Sequence, residues 1–231
     1  MVVYSNKKGE LIAMSGVFHF FFDAAQIIGT VAFAASGAML AIDRDLDLFG
    51  VLFLGVITAV GGGAIRDLLL GSFPPVAFRD ATYVLVAFVT ALIVFLLAAI
   101  GNVRYWRERD AMDRAFNLLD AIGLGIFSTV GAQTAMSAGF SGNAFLCVFM
   151  GMTTGVGGGI LRDLLSKTVP AVLKRRIYAV ASIIGAATYF YMVKLSAGAP
   201  VAMLAGMLIT VLIRMLATHY AWNLPRVKRP Q

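Results

Sequence analysis

Seven stretches of about twenty predominantly apolar residues run through the chain, at about 17–42, 48–71, 81–101, 116–138, 143–165, 177–195 and 199–221. A helix needs about 20 such residues to cross a bilayer. The runs are continuously apolar, whereas membrane-barrel strands would alternate over about ten residues. The connections, of about 3 to 14 residues, are too short to hold an inserted soluble domain. Composition agrees: 60% of the 231 residues are apolar or aromatic, 13% are charged, and the mean hydropathy is +0.86. An average soluble domain is about 45–50% apolar and about 25% charged. A soluble enzyme, a disulfide scaffold and a disordered chain are thereby excluded. The expected fold class is an all-α integral membrane protein, one transmembrane domain over 1–231 with seven transmembrane helices. The single cysteine, Cys147, permits no internal disulfide. The first stretch is read as a retained helix, because it is longer than a signal peptide's apolar region and contains Asp23.

Flanking charges predict an orientation. Lys7, Lys8, Arg79 and Lys194 fall on the N-terminal side; Arg44, Arg104, Arg107, Arg109, Arg114, Lys167, Lys174, Arg175, Arg176, Arg226, Lys228 and Arg229 fall on the other. The excess of basic residues places that second side in the cytoplasm, with the N-terminus outside and the C-terminus inside. Trp106 and Trp222 stand at cytoplasmic ends, as interfacial anchors. The net charge of +7 is thus a topology signal at the ends of apolar runs, and no nucleic-acid partner is predicted.

The chain also repeats itself. Gly61-Gly62-Gly63-Ala64-Ile65-Arg66-Asp67-Leu68-Leu69 recurs as Gly157-Gly158-Gly159-Ile160-Leu161-Arg162-Asp163-Leu164-Leu165, with seven of nine positions identical at an offset of 96. A weaker match pairs Ile28, Gly29, Phe33, Gly37, Ala38 and Ala41 with Ile122, Gly123, Phe127, Gly131, Ala132 and Ala135, at an offset of 94. Spans 1–3 (17–101) and 4–6 (116–195) are therefore two copies of one unit, and span 7 (199–221) stands alone. Three helices per copy is an odd number, so the second copy enters the membrane from the opposite face and the repeats are inverted. Such repeats occur in secondary transporters and in some channels.

Each glycine triplet lies near the middle of a span. Glycine costs about 1 kcal/mol relative to alanine in a helix interior. Close packing accounts for one small residue every fourth position, as in Gly198, Ala202 and Gly206. Three glycines in a row, twice, at matched positions predict a break or kink lining a cavity. Half-helix C-terminal ends with exposed carbonyls would favour a cation, while the positive ends of the following half-helices would also suit a zwitterion, and both readings stand.

Arg66 and Arg162 follow the triplets by three residues, inside the membrane, where an unpaired arginine costs about 2.5–3.5 kcal/mol. Adjacent helix residues point about 100° apart, so pairing with Asp67 and Asp163 is expected to be poor, and the arginines are expected to face inward as a structural or gating charge. Asp23 and Asp120 are further intramembrane carboxylates, and Asp120 stands in register with Gln26. Ser36, Thr58, Ser128, Thr129, Thr153 and Thr154 are candidates for an aqueous route, although a helix hydroxyl commonly bonds its own backbone. His19 and His219 have no partner at a ligand spacing, so no metal site is predicted. The glycine runs lack the Gly-Lys-Ser/Thr ending of a phosphate loop, and no catalytic arrangement is present.

The doubled GGG-x-x-R-D-L-L motif, the 3+3+1 plan, the Ile28-Gly29…Phe33…Gly37-Ala38 segment and Val169-Pro170 resemble the prokaryotic TRIC proteins, the trimeric intracellular cation channels, over residues of about 20–195. The same superfamily includes relatives described as glycine-transporter domains. The resemblance implies a homotrimer in the bacterial or archaeal inner membrane, with a pore inside each protomer that passes the glycine segments and conducts potassium, and sodium as well, without a cofactor. Gly61, Gly62, Gly63, Gly157, Gly158 and Gly159 would line the constriction, and Arg162 alone could take the part of the basic gating residue of the animal members. Membrane lipids are expected partners, with Lys174, Arg175 and Arg176 near their headgroups. A secondary transporter of a small zwitterion such as glycine is the alternative.

Overall fold

The computed structural model describes residues 4–5, 11–12, 16–107, 109–174 and 177–222. Two two-residue strands, Tyr4–Ser5 and Leu11–Ile12, pair antiparallel ahead of an all-helical body. The helices are α1 (Gly16–Asp43), α2 (Leu48–Leu69), α3 (Val76–Arg79), α4 (Thr82–Arg107), α5 (Arg109–Ala135), α6 (Ala144–Leu165), α7 (Ala171–Lys174), α8 (Tyr178–Lys194) and α9 (Ala199–His219). A five-residue π-helical turn, Met136–Phe140, closes α5 and contains Gly139 at φ 97°.

Six of these helices are long and apolar enough to cross a membrane, and α8, at 17 residues, is shorter. The helix positions follow the apolar runs closely, with one difference. The connection expected between the third and fourth spans is helical on both sides: α4 runs on to Arg107 and α5 begins at Arg109. No glycine or proline lies between Asn102 and Asn117, and Arg, Glu and Ala are good helix formers, so nothing stops the helix where the apolar run ends. Of the basic residues behind the orientation, Lys7, Lys8, Arg175, Arg176, Arg226, Lys228 and Arg229 lie outside the described residues.

The body is held together by small residues. α1 packs on α2, α4 and α5; α2 crosses α6; α5 packs on α6, α8 and α9. At these seams Ala34, Ala38, Ala41, Ala87, Ala91, Ala121, Ala132, Ala181 and Ala186 are fully buried. In lipid, where burial against another helix gains little hydrophobic free energy, such close backbone approach supplies dispersion and fixes the crossings. Bulky apolar side chains point outward instead, as on α4 with Leu85, Val89, Ile93, Leu97 and Ile100.

Contacts recur in reciprocal pairs. Phe33 covers Gly123 and Phe127 covers Gly29; Gly37 lies on Thr58 and Gly131 on Thr154. The side chain of Asp47 caps α2 by accepting from Gly50 N (2.8 Å), and that of Asn143 caps α6 by accepting from Leu146 N (3.0 Å).

Candidate functional site

The glycine triplets mark the point where α2 and α6 cross. The break expected there is absent: α2 and α6 are helical throughout, and none of the six glycines has a positive φ. The reason is the solvent. Opening a helix in a bilayer strands carbonyl and amide groups at several kcal/mol each, far more than the helix penalty of the glycines. The missing side chains serve contact instead. A methyl group on Gly62 would land on the Thr154 carbonyl oxygen, and one on Gly158 on the Thr58 carbonyl oxygen. A methyl on Gly157 would lie 3.0 Å from the Gly62 Cα, and one on Gly61 would lie 2.6 Å from the Leu161 side chain. The third glycine of each triplet turns away from the crossing: Gly63 lines a cavity, and a methyl on Gly159 would meet the Tyr178 hydroxyl at 3.0 Å.

The arginine–aspartate neighbours also differ from expectation. Arg66 donates from Nε (2.9 Å) and Nη2 (2.7 Å) to Asp67 Oδ1, and Arg162 donates from Nε to Asp163 Oδ1 at 2.9 Å. The long arginine side chain curls around the helix and closes the 100° between neighbours, because both charges are buried and a direct bond offsets part of their desolvation. The second carboxylate oxygen then holds the loop that follows: Asp67 Oδ2 accepts from Val76 N (2.9 Å) at the start of α3, and Asp163 Oδ2 accepts from Ala171 N (2.7 Å) at the start of α7.

The two arginines are otherwise unequal. Arg162, 1% exposed, donates from Nη1 to Asp120 Oδ1 at 2.6 Å and to Ser36 Oγ at 3.1 Å, and stacks over Phe116 at 5.0 Å. It thus reaches into the other repeat, as an inward-facing arginine should. Asp120 is a buried partner of that ion pair, whereas Asp23 is exposed on α1. Among the described residues, Arg66 bonds its neighbour Asp67 alone.

Of the candidate hydroxyls, five donate to their own helices: Ser36 to Phe33 O, Thr58 to Leu54 O, Ser128 to Leu124 O, Thr129 to Ile126 O and Thr154 to Met150 O. All five are buried, and Ser128 also shares a hydrogen bond with Ser182. Thr153 is half-buried. His219 stacks edge-on against Tyr220, and no group of three or more metal-ligating residues occurs among the described residues.

Two cavities flank the crossing at opposite ends. The first, of about 50 Å³, lies at the C-terminal end of α2 among Gln26, Thr30, Gly63, Arg66, Asp67 and Phe127. The second, of about 340 Å³, lies at the C-terminal end of α6 among Leu40, Arg44, Phe116, Arg162, Asp163 and Thr168. Along α1 they are separated by the residues from Thr30 to Leu40, about 15 Å of helix. In that interval Phe33 meets Phe127 with ring centroids 5.3 Å apart.

One membrane-embedded charge escapes the motif-based reading. Arg214, on α9, is 2% exposed and lies over the Tyr178 ring at 4.7 Å. An arginine seven residues from the end of the apolar span 199–221 is itself a signal, but it lies outside the repeat that drew attention to Arg66 and Arg162.

A bundle of membrane-spanning helices carrying a duplicated glycine–arginine–aspartate unit, with a cavity at each end, is a membrane-embedded protein of transport or channel architecture. A profile of the family described as "Glycine transporter" matches the chain twice, over residues 23–99 and 117–194. The UPF0126 inner membrane protein YadS of Escherichia coli K12 is 40% identical over 202 residues, covering 86% of this chain and 92% of that one. A UPF0126 membrane protein of Deinococcus radiodurans is 48% identical over 163 residues, covering 69% and 71%. Among solved structures, one described as the structural basis for conductance through TRIC cation channels is 42% identical with a TM-score of 0.78, covering 91% of this chain and 98% of that one. The TRIC trimeric intracellular cation channel orthologue from Rhodobacter sphaeroides is 33% identical with a TM-score of 0.77, covering 87% and 98%. The chain belongs to this family, which the UPF0126 membrane proteins and the TRIC channels share.

Proposed function

We propose that this chain is a passive channel for monovalent cations, potassium and sodium, acting as a homotrimer in the inner membrane with one pathway in each subunit. The observation that carries this reading is a cavity at the C-terminal end of each of α2 and α6, the first lined by Phe127, which meets Phe33, in a chain that shares its fold with TRIC cation channels. On this reading α1, α2 and α4 form one three-helix repeat, α5, α6 and α8 its inverted copy, and α9 a seventh crossing. The reciprocal contacts between the copies support that symmetry. With the N-terminus outside, the first cavity opens outward and the second opens to the cytoplasm.

The charges suit a cation. The Arg66 guanidinium is matched by Asp67, and the Arg162 guanidinium sits between two carboxylates, so neither cavity presents an unbalanced positive charge. Because α2 and α6 are unbroken, their carbonyls are engaged within the helices and do not replace an ion's hydration shell. Discrimination between potassium and sodium is therefore weak, set by a hydrated route rather than by a carbonyl filter. Opening requires Phe33 and Phe127 to part and α2 to move against α6 at the glycines.

The alternative is a carrier of a small zwitterion such as glycine. What favours it is the family's description together with a path that is closed between two cavities, as alternating access also requires. Planar-bilayer recording of the purified protein in asymmetric KCl separates the two. Discrete openings that reverse on the potassium side establish the channel. Silence from folded, inserted protein that shows saturable glycine counterflow establishes the carrier.

A further inference from the structure

The two copies of the repeat allow one site to be read against the other. In the second copy, Arg162 Nη1 is satisfied by Asp120 on α5 and Ser36 on α1. By the offset of 94 between α1 and α5, the residues at the matching places around Arg66 are Gln26 and Val130. A carboxylate has become a neutral amide and a hydroxyl has become an isopropyl group. The hydrogen bonds of Arg66 leave from Nε and Nη2 to Asp67, and among the described residues its Nη1 has no partner, although the residue is only 6% exposed. In the second copy Asp120 takes this place and is not part of the lining of the cavity at Arg162, whereas in the first copy Gln26, Thr30 and Arg66 themselves line the cavity.

The geometry points to a binding site for one small carboxylate anion in this cavity, taking the place on Arg66 that Asp120 takes on Arg162. The internal comparison supports it, since in the second copy one guanidinium holds two carboxylates by direct ion pairs and in the first it holds one. The free guanidinium edge belongs to a side chain that borders this cavity, and a charge-assisted bond to a carboxylate is the strongest it can make. The Gln26 amide and the Thr30 hydroxyl can donate to the second carboxylate oxygen. Size supports it too. The cavity, of about 50 Å³, exceeds the about 10–15 Å³ needed to admit one water and so has room for a ligand of a few heavy atoms.

The test is saturation-transfer NMR of acetate with the purified full-length protein in detergent, a readout independent of conduction, so that its failure leaves the channel reading standing. Wild-type protein is expected to give a saturable acetate signal. Formate should suppress it, while chloride at equal concentration and pivalate, too bulky for the cavity, should not. In Gln26→Asp, which supplies the carboxylate that the second copy has, the signal should weaken about tenfold or more. An absent signal from folded wild-type protein, equal suppression by chloride or pivalate, or an unchanged signal in Gln26→Asp overturns the site. The competition series needs only wild-type protein, so the proposal remains testable even if the substitution does not fold.

Discussion

Within one glycine triplet the three positions have different physical roles. Gly62 meets a carbonyl oxygen of the partner helix, which cannot move without moving the backbone, whereas a methyl on Gly63 would find Arg66 Nη2 3.7 Å away, an ordinary contact. Gly62→Ala and Gly158→Ala are therefore expected to destabilise the protein by about 1–3 kcal/mol each through forced helix separation. Gly63→Ala should be neutral or stabilising by up to about 1 kcal/mol through helix propensity. Thermal unfolding of the purified variants checks the contrast, and equal losses at Gly62 and Gly63 would contradict it. Asp120 gives a second case at this scale. Removing its charge leaves Arg162 buried with Asp163 as its only carboxylate, and Asp120→Asn is expected to cost about 3 kcal/mol. A melt matching wild type would show that Ser36 and Asp163 suffice. That Arg162 and Asp163 lie inside the membrane is legible in the sequence. That they bond each other, and that Asp120 and Ser36 complete the set, is not, because the arginine's reach around the helix depends on what surrounds it.

Each helix has local reasons for where it starts and stops, and some were legible beforehand. Apolar length placed α2, α6 and α9 to within about two residues, since a bilayer rewards an unbroken run of about 20. Charged residues without a helix breaker extended α4 and α5 beyond their apolar cores, which hydropathy alone does not report. The starts of α2 and α6 rest on the side chains of Asp47 and Asn143, at matched positions in the repeat. Asp47→Ala and Asn143→Ala should each cost about 1 kcal/mol, read as a lower unfolding temperature. At α4, Asp80 accepts from Thr82 N at 2.9 Å. Hydrogen bonds from the Thr82 side chain and backbone hold the Asp80 carboxyl below its usual range. Its contribution to anchoring α4 is therefore present above the ordinary carboxylate pKa and is lost as pH falls through the lowered folded value. Asp80→Asn should flatten the acid side of the stability profile and leave neutral pH little changed; an unaltered acid limb would argue against this anchor.

For the whole molecule, function depends on what separates the two cavities. Phe33 and Phe127 come from matched positions of the two repeats and meet beside the first cavity, which Phe127 itself lines. If they hold the path shut, Phe127→Ala should shift the closed–open balance by about 1 kcal/mol, roughly fivefold, toward opening in single-channel records. An unchanged open probability would move the gate elsewhere. The outward-facing apolar side chains of α4 and the family's trimeric orthologue lead to a further expectation. Native mass spectrometry in detergent should find three chains of 24.6 kDa each together, and a monomer alone would refute the homotrimer.

The sequence by itself determined the membrane class, the places of the helices and the duplication, because a spanning helix satisfies its backbone within itself and needs only a sufficient apolar length. It did not determine what the glycines do. Glycine permits both a break and a close crossing, and only the position of the second helix, with a carbonyl oxygen against each central glycine, selects the crossing. Nor did it determine how the buried charges are met. Arg162 is satisfied by Asp120, 42 residues away, and by Ser36, 126 residues away. Partners so distant along the chain are brought together by helix packing alone, and two near-identical motifs thus came to hold their arginines differently, Arg162 between Asp120 and Asp163 and Arg66 against Asp67.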